Sequence, residues 1–112
     1  MELITKPFLK IQIAQIRQKY GDYVKLTVDL EKEILVLGTE LHADGEKNLL
    51  EGGSQQDDIW GGGINLKDKI IDTTAVLNLR PKVDNDSMEI LDPKKREKFI
   101  KIVRNIFSDL WN

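Results

Sequence analysis

The 112-residue chain combines 40% hydrophobic with 32% charged residues and has only three prolines, a composition typical of one folded domain rather than a disordered segment. Its 17 basic and 19 acidic side chains nearly cancel, which disfavours a duplex-binding surface, so no nucleic-acid partner is expected. The absence of cysteine excludes disulfides, thiolate catalysis and cysteine-ligated metal centres.

The N-terminal sequence MELITKPFLKIQIAQ does not resemble an export signal, since no basic segment precedes an unbroken apolar core. No run of about 18 apolar residues occurs, so no membrane partner is expected. We therefore expect one cytoplasmic domain over residues 1–112.

The first half of the chain predicts a helix followed by a β-hairpin. Apolar residues at helical spacing run from Pro7 to a glycine stop at position 21. Residues 23–30 alternate between apolar and polar, as in a half-buried strand. The apolar run that begins at residue 34 predicts a central strand, which we extend through Thr39 to His42.

The second half predicts a second hairpin between two helices. A short helix begins near Asp44 and ends at two glycines, and a polar loop then leads into a third strand over residues 64–66. The stretch DTTAVLNLR, residues 72–80, predicts a fourth strand. Asp92 then provides an N-cap for a long last helix.

The resulting order, α-β-β-α-β-β-α, predicts a two-layer α+β fold in which three helices, packed mainly on one side, cover an antiparallel four-stranded sheet made of two β-hairpins. On the last helix, the apolar stripe is wider than one sheet face requires, because Ile100, Phe107 and Trp111 extend it. This margin is expected to contact the first helix or a second subunit, which makes a homodimer one candidate assembly.

Polar side chains at the predicted strand ends suggest a shared patch. Alternate residues of a strand share a face. Glu40 and His42 therefore lie on the same side of one predicted strand, and Asn78 and Arg80 on the same side of another. If neighbouring strands align these faces with Asn65, the side chains converge beside the loop that contains Asp57, Asp58 and Trp60.

Such a patch would suit a small polar or anionic ligand or a protein partner. The alternative function is a hydrolase-like or metal-assisted enzyme in which His42 transfers protons, Arg80 anchors a negative group and Asp58 orients the imidazole or a metal. Structural roles compete with both, since His42 fits an exposed or structural position and Trp60 a core position. No residue is assigned as a metal ligand, and no cofactor is indicated.

The glycines at positions 61–63 do not match a phosphate-binding loop, because the required spacing is absent and a strand follows them. They predict a bend or a bulge, where glycine relieves backbone crowding.

The ordered segments ELHAD, LLEGGSQQDDIWG, INL and LNLRP resemble a family of small prokaryotic proteins known as a domain of unknown function. The likeness runs from about Val28 to Arg96. The resemblance implies no activity. It does imply that the family's characteristic polar positions are Glu40, His42, Asp44, Gln56, Asp58, Trp60, Asn65, Asn78 and Arg80.

Two departures from the family pattern bear on these expectations. The family has one glycine before Ile-Asn-Leu, so the three glycines here imply an extra bulge in the third strand. It also has arginines after Arg-Pro, where this chain has Asp86 and Met88, which weakens any anion site carried over from the family.

Overall fold

The computed structural model describes residues 1–112 and contains three α-helices and one five-stranded antiparallel sheet. The strand order is β1-β3-β2-β4-β5. The strands are β1 (Glu2–Ile4), β2 (Tyr23–Asp29), β3 (Ile34–Leu37), β4 (Ile59–Asn65) and β5 (Ile70–Asp72), and the helices are α1 (Lys10–Tyr20), α2 (His42–Glu51) and α3 (Pro93–Ile106).

The α+β class, the three helices and the β2–β3 hairpin are confirmed. The predicted number of four strands is wrong, because β1 adds a fifth strand that pairs with β3 before α1 begins. β1 has only three residues, so it carries too little alternation to be recognised from the sequence.

Helices cover both faces of the sheet, so the fold has three layers rather than the predicted two. On one face, α1 and α3 bury residues such as Leu26, Leu35 and Phe99 in the main core. On the other face, α2 contributes Leu49 to a smaller cluster with Val36 and Ile59. Ile34, Val36 and Ile59 therefore have apolar neighbours on the α2 side, which accounts for the unbroken apolar run in β3.

The three glycines lie in the middle of β4, and the predicted bend or bulge is wrong. β4 pairs residue for residue with β2, from Asn65 opposite Tyr23 to Ile59 opposite Asp29. The glycines provide space instead: a Cβ on Gly61 would lie 2.7 Å from the Cβ of Ala75, and one on Gly62 would lie 2.7 Å from Cζ of Phe99. Close packing on both faces therefore explains this segment.

Two predicted strands end earlier than expected. β3 stops at Leu37, and Gly38, with φ of +82°, turns the chain so that α2 begins at His42 rather than at Asp44. The predicted fourth strand over residues 72–80 is largely wrong, since β5 ends at Asp72 and a 3₁₀ turn occupies Val76–Asn78. Strand alternation therefore cannot align Glu40 with His42 or Asn78 with Arg80.

Of the apolar margin of the last helix, Phe107 and Trp111 pack within the chain, whereas Ile100 is exposed. Phe107 is buried, and its ring lies 5.1 Å from that of Phe8. Trp111 packs against the main core, with the Arg104 guanidinium 4.4 Å from its ring centroid. A homodimer through this surface stays a prediction. None of the helices combines the length and the apolar composition needed to cross a bilayer.

Candidate functional site

A groove of about 570 Å³ lies between the start of α2 and the segment over residues 74–77. We call it the α2 groove. Its size is typical of small-molecule sites, and it adjoins β4 at Gly61, whose Cα faces both His42 and Ala75. The groove is lined by Tyr23, Lys25, Leu41, His42, Ala43, Thr74, Ala75, Val76, Leu77 and Met88.

The half-buried His42 is held in one orientation at the start of α2. Gly45 allows this helix to approach β2, since a Cβ at that position would lie 2.8 Å from the Cβ of Thr27. The Nε2 of His42 lies 2.7 Å from the backbone oxygen of Gly62. A carbonyl only accepts hydrogen bonds, so Nε2 carries the proton and donates.

The other ring nitrogen of His42 is an open acceptor. Nδ1 makes no hydrogen bond within the chain and is not among the buried polar atoms that lack a partner, so solvent reaches it. Burial lowers the pKa of His42 below its usual value. The imidazole that lines the groove is therefore neutral at pH 7, with a solvent-accessible lone pair on Nδ1.

Lys25 is the only cation that lines the groove. Its Nζ donates one hydrogen bond to the backbone oxygen of Glu40, and no carboxylate lies within 4.0 Å to form an ion pair. Beside it, the hydroxyl of Tyr23 donates to Oδ2 of Asp72 over 2.7 Å. Burial and this hydrogen bond raise the pKa of Tyr23, so the phenol stays protonated.

The remaining walls of the groove are apolar and exposed. Leu41 and Val76 are 61% and 72% exposed, and Met88 is 48% exposed. Three exposed apolar side chains therefore line this one groove. The lining of the α2 groove thus combines polar side chains, Tyr23, Lys25 and His42, which we call its polar end, with exposed apolar side chains, Leu41, Val76 and Met88, which we call its apolar end.

Arg80 belongs to a second cluster, in which its guanidinium is used internally. Nε donates to the backbone oxygen of Leu77 and Nη1 to that of Gln56, while Nη2 donates to that of Ile59. Nη2 also lies 3.5 Å from Oε2 of Glu46, and the guanidinium carbon lies 4.6 Å from the ring centroid of Trp60. Burial lowers the pKa of Arg80. Its role here is to bind backbone oxygens rather than an external anion.

Asn78 has a similar structural role in the same cluster. It is fully buried, with its Oδ1 accepting from the backbone N–H of Gly61 and its Nδ2 donating to the backbone oxygen of the same residue. Nδ2 also donates to the backbone oxygens of Thr73 and Met88. One side chain therefore joins β4 to two parts of the loop that follows β5.

The structure divides the predicted site residues rather than assembling them. His42 alone lies in the α2 groove, whereas Trp60, Asn78 and Arg80 form the internal cluster. Asn65 accepts backbone hydrogen bonds in the β4–β5 turn. Of the remaining predicted residues, Glu40, Asp44 and Gln56 are exposed, and Asp58 is half-buried.

The proposed enzymatic trio of His42, Asp58 and Arg80 is not joined by hydrogen bonds. The imidazole bonds to Gly62 and the guanidinium to Ile59, two β4 residues about 10 Å apart along the strand. No group of three or more histidine, aspartate or glutamate side chains is arranged to hold a metal ion.

Sequence reasoning missed most of the groove. Tyr23 and Lys25 lie at the polar positions of β2, which their alternation marked as solvent-facing. Leu41 and Val76 carried no signal, because both fell within predicted strands, where apolar residues are expected. The one feature that points to the groove is Lys25 itself. It is a cation within a strand, and neither neighbouring strand places a carboxylate opposite β2.

Comparison with known proteins gives a family but no activity. A family model described as a protein of unknown function, DUF5674, matches residues 2–106. This match confirms the resemblance drawn from the motifs. No curated protein and no solved structure matches the chain.

Proposed function

We propose that this chain, which belongs to the DUF5674 family of proteins of unknown function, binds a small amphipathic organic anion in the α2 groove. The observation that carries the proposal is the unpaired Lys25 at the polar end of a groove with exposed apolar walls. A ligand with one negative group and a short hydrocarbon tail complements both ends.

The polar end favours an anion over a cation or a neutral group. Lys25 supplies a positive charge and has further N–H donors besides the one used by Glu40. The neutral His42 adds no negative charge, and the carboxylate of Asp72 already accepts from Tyr23 and from the backbone N–H of Thr74. A charge-assisted hydrogen bond from Lys25 would be worth about 1.5–3 kcal/mol.

The apolar end favours a hydrocarbon tail. Leu41, Val76 and Met88 are exposed, so a bound tail would remove both its own surface and theirs from water. Each methylene that becomes buried adds about 0.8 kcal/mol. A chain of five or six carbons therefore adds enough to make binding measurable despite the entropic cost of association.

Isothermal titration calorimetry with hexanoate tests this function, with hexylamine and hexanol as ligands of opposite and zero charge. We expect saturable binding of hexanoate, and at least tenfold weaker binding when Lys25→Met removes the charge but keeps most of the stem. Lys47→Met is the matched control, because Lys47 is an exposed lysine of α2 outside the groove. Equal affinity for hexanoate and hexylamine, or no effect of Lys25→Met, would contradict the proposal.

A further inference from the structure

We infer that the α2 groove takes up a proton together with its anionic ligand, and that the protonated Nδ1 of His42 is the second donor to that anion beside Lys25. The inference rests on the proposed function and deepens it. It assigns His42 a recognition role that requires no catalytic partner, which the structure does not provide.

The fixed orientation of the imidazole makes this change possible without a rotation. Nε2 donates to the backbone oxygen of Gly62 whether the ring is neutral or charged, since that nitrogen carries hydrogen in both forms. Protonation therefore adds a hydrogen only at Nδ1, the nitrogen that no group of the chain binds. It converts an acceptor at the wall of the groove into a charged donor.

The surroundings of His42 keep it neutral when the groove is empty. From β2, Lys25 repels a second positive charge, while the protonated Tyr23 adds none. From β5, the Asp72 carboxylate favours a charge on His42, but more weakly than Lys25 opposes it. The facing parts of β4 and of residues 74–77 contain no ionisable group.

The acidic residues nearest in the chain are engaged elsewhere or exposed. Glu46, one turn along α2, pairs with Arg80. Glu89, beyond the groove wall, accepts hydrogen bonds from Thr73 and Thr74. Glu40 and Asp44 are exposed to solvent.

An anion in the groove reverses this balance. Because a negative charge within about 4–6 Å raises the pKa of a histidine by about 1–3 units, the complex holds a proton at pH values where the free protein does not. The dissociation constant then falls as pH falls through the interval between the free and bound pKa values of His42, by about tenfold per pH unit at most. Above that interval, the affinity is lower and constant.

Hexanesulfonate is the probe, because a sulfonate stays ionised across the pH range and any pH dependence must then come from the protein. Calorimetric titrations at pH 5.5, 6.5 and 8.0 are repeated in buffers of different ionisation enthalpy to count the protons taken up. We expect about tenfold tighter binding at pH 5.5 than at pH 8.0, with net proton uptake at pH 6.5.

His42→Gln is the matched variant, since the glutamine amide can still donate to Gly62 but does not titrate. We expect it to bind hexanesulfonate with the same affinity at all three pH values and without proton uptake. Binding by the wild-type chain that depends on Lys25 but not on pH would overturn this inference and leave the proposed function standing. A pH dependence that persists in His42→Gln would also overturn it, whereas no binding at any pH would overturn both.

Discussion

Replacing Asn78 tests whether the internal cluster, rather than a bound ligand, explains the polar residues that the family resemblance implies to be characteristic. The Asn78 amide makes four hydrogen bonds to backbone groups and is fully buried. Asn78→Ala leaves the N–H of Gly61 without this partner, at a cost of about 1–3 kcal/mol, and removes the two N–H donors that three carbonyl groups share, at about 1 kcal/mol each. We expect the free energy of unfolding to fall by about 3–5 kcal/mol, a large part of the 5–15 kcal/mol typical of a domain.

Asn78→Asp is the more diagnostic change, because it keeps the shape of the side chain. A carboxylate still accepts from Gly61 N–H, but its second oxygen then faces the backbone oxygens of Gly61, Thr73 and Met88 without a hydrogen to share. The folded state therefore favours the protonated acid, which raises the pKa of the new carboxyl above its unfolded value of about 4. The folded state binds more protons, so the stability of this variant falls as pH rises from about 4 through the raised pKa.

Urea denaturation followed by circular dichroism at pH 5 and pH 8 measures both effects, with the wild-type chain at each pH as reference. Asn105→Ala is the control, since Asn105 is exposed on α3 and its side chain makes no hydrogen bond; a change within about 0.5 kcal/mol is expected there. At pH 8, Asn78→Asp should be at least as destabilised as Asn78→Ala and should recover part of the loss at pH 5. An aspartate variant with near wild-type stability at pH 8 would refute the assignment of the amide nitrogen to three carbonyl groups.

Two further predictions concern the glycine strand and the buried arginine. Gly61→Ala should lower the free energy of unfolding by about 1–3 kcal/mol, because its Cβ would lie 2.7 Å from that of Ala75. Gly52→Ala, whose Cβ would have its nearest neighbour at 3.4 Å, should be tolerated. Equal losses of the two variants in chemical denaturation would contradict the packing argument. Arg80→Lys should lower the free energy of unfolding by about 2–4 kcal/mol, since an ammonium group cannot bind the three carbonyl oxygens and stack on Trp60 as the planar guanidinium does. Hexanoate binding by the folded variant should stay within about twofold of wild type. A stable Arg80→Lys variant that loses hexanoate binding would instead favour an anion site at Arg80.

The sequence predicted correctly those helices and strands that depend on residues close together in the chain. The alternation over residues 23–30 predicted β2, because one face of that strand is buried by α1 and α3. Asp92 predicted the start of α3, and its Oδ1 indeed accepts from the backbone N–H of Lys94. Residues 77–80 also alternate between apolar and polar side chains but do not form a strand, since Asn78 makes its hydrogen bonds to residues distant in sequence.

The candidate site was less predictable, because it depends on how two elements approach each other. The sequence predicts His42 as a site residue, but at the end of a strand, whereas the structure places it at the start of α2. The approach of α2 to the sheet depends on Gly45, Gly61 and Thr27, whose fit cannot be read from composition. A motif of polar residues could be recognised, but not its division into a groove and an internal cluster.

This division has a common cause at the outer edge of β4. β5 pairs only with Gly63–Asn65, so the first residues of β4 have no neighbouring strand on that side. Asn78 supplies Gly61 with both an acceptor and a donor, as a residue of a paired strand would, and Arg80 donates to the backbone oxygen of Ile59. Side chains thus protect an edge that would otherwise expose unpaired backbone groups.

Because two side chains close this edge, the backbone over residues 74–77 is not required to form a sixth strand. It turns instead through Val76–Asn78 and places Ala75, Val76 and Leu77 along the wall of the α2 groove. Asn78 and Arg80 therefore affect the groove by holding its wall in place, whereas Lys25 and His42 are its polar lining. It follows that ligand affinity measured on correctly folded protein should change when Lys25 or His42 is replaced. Global stability should change mainly when Asn78 or Arg80 is replaced.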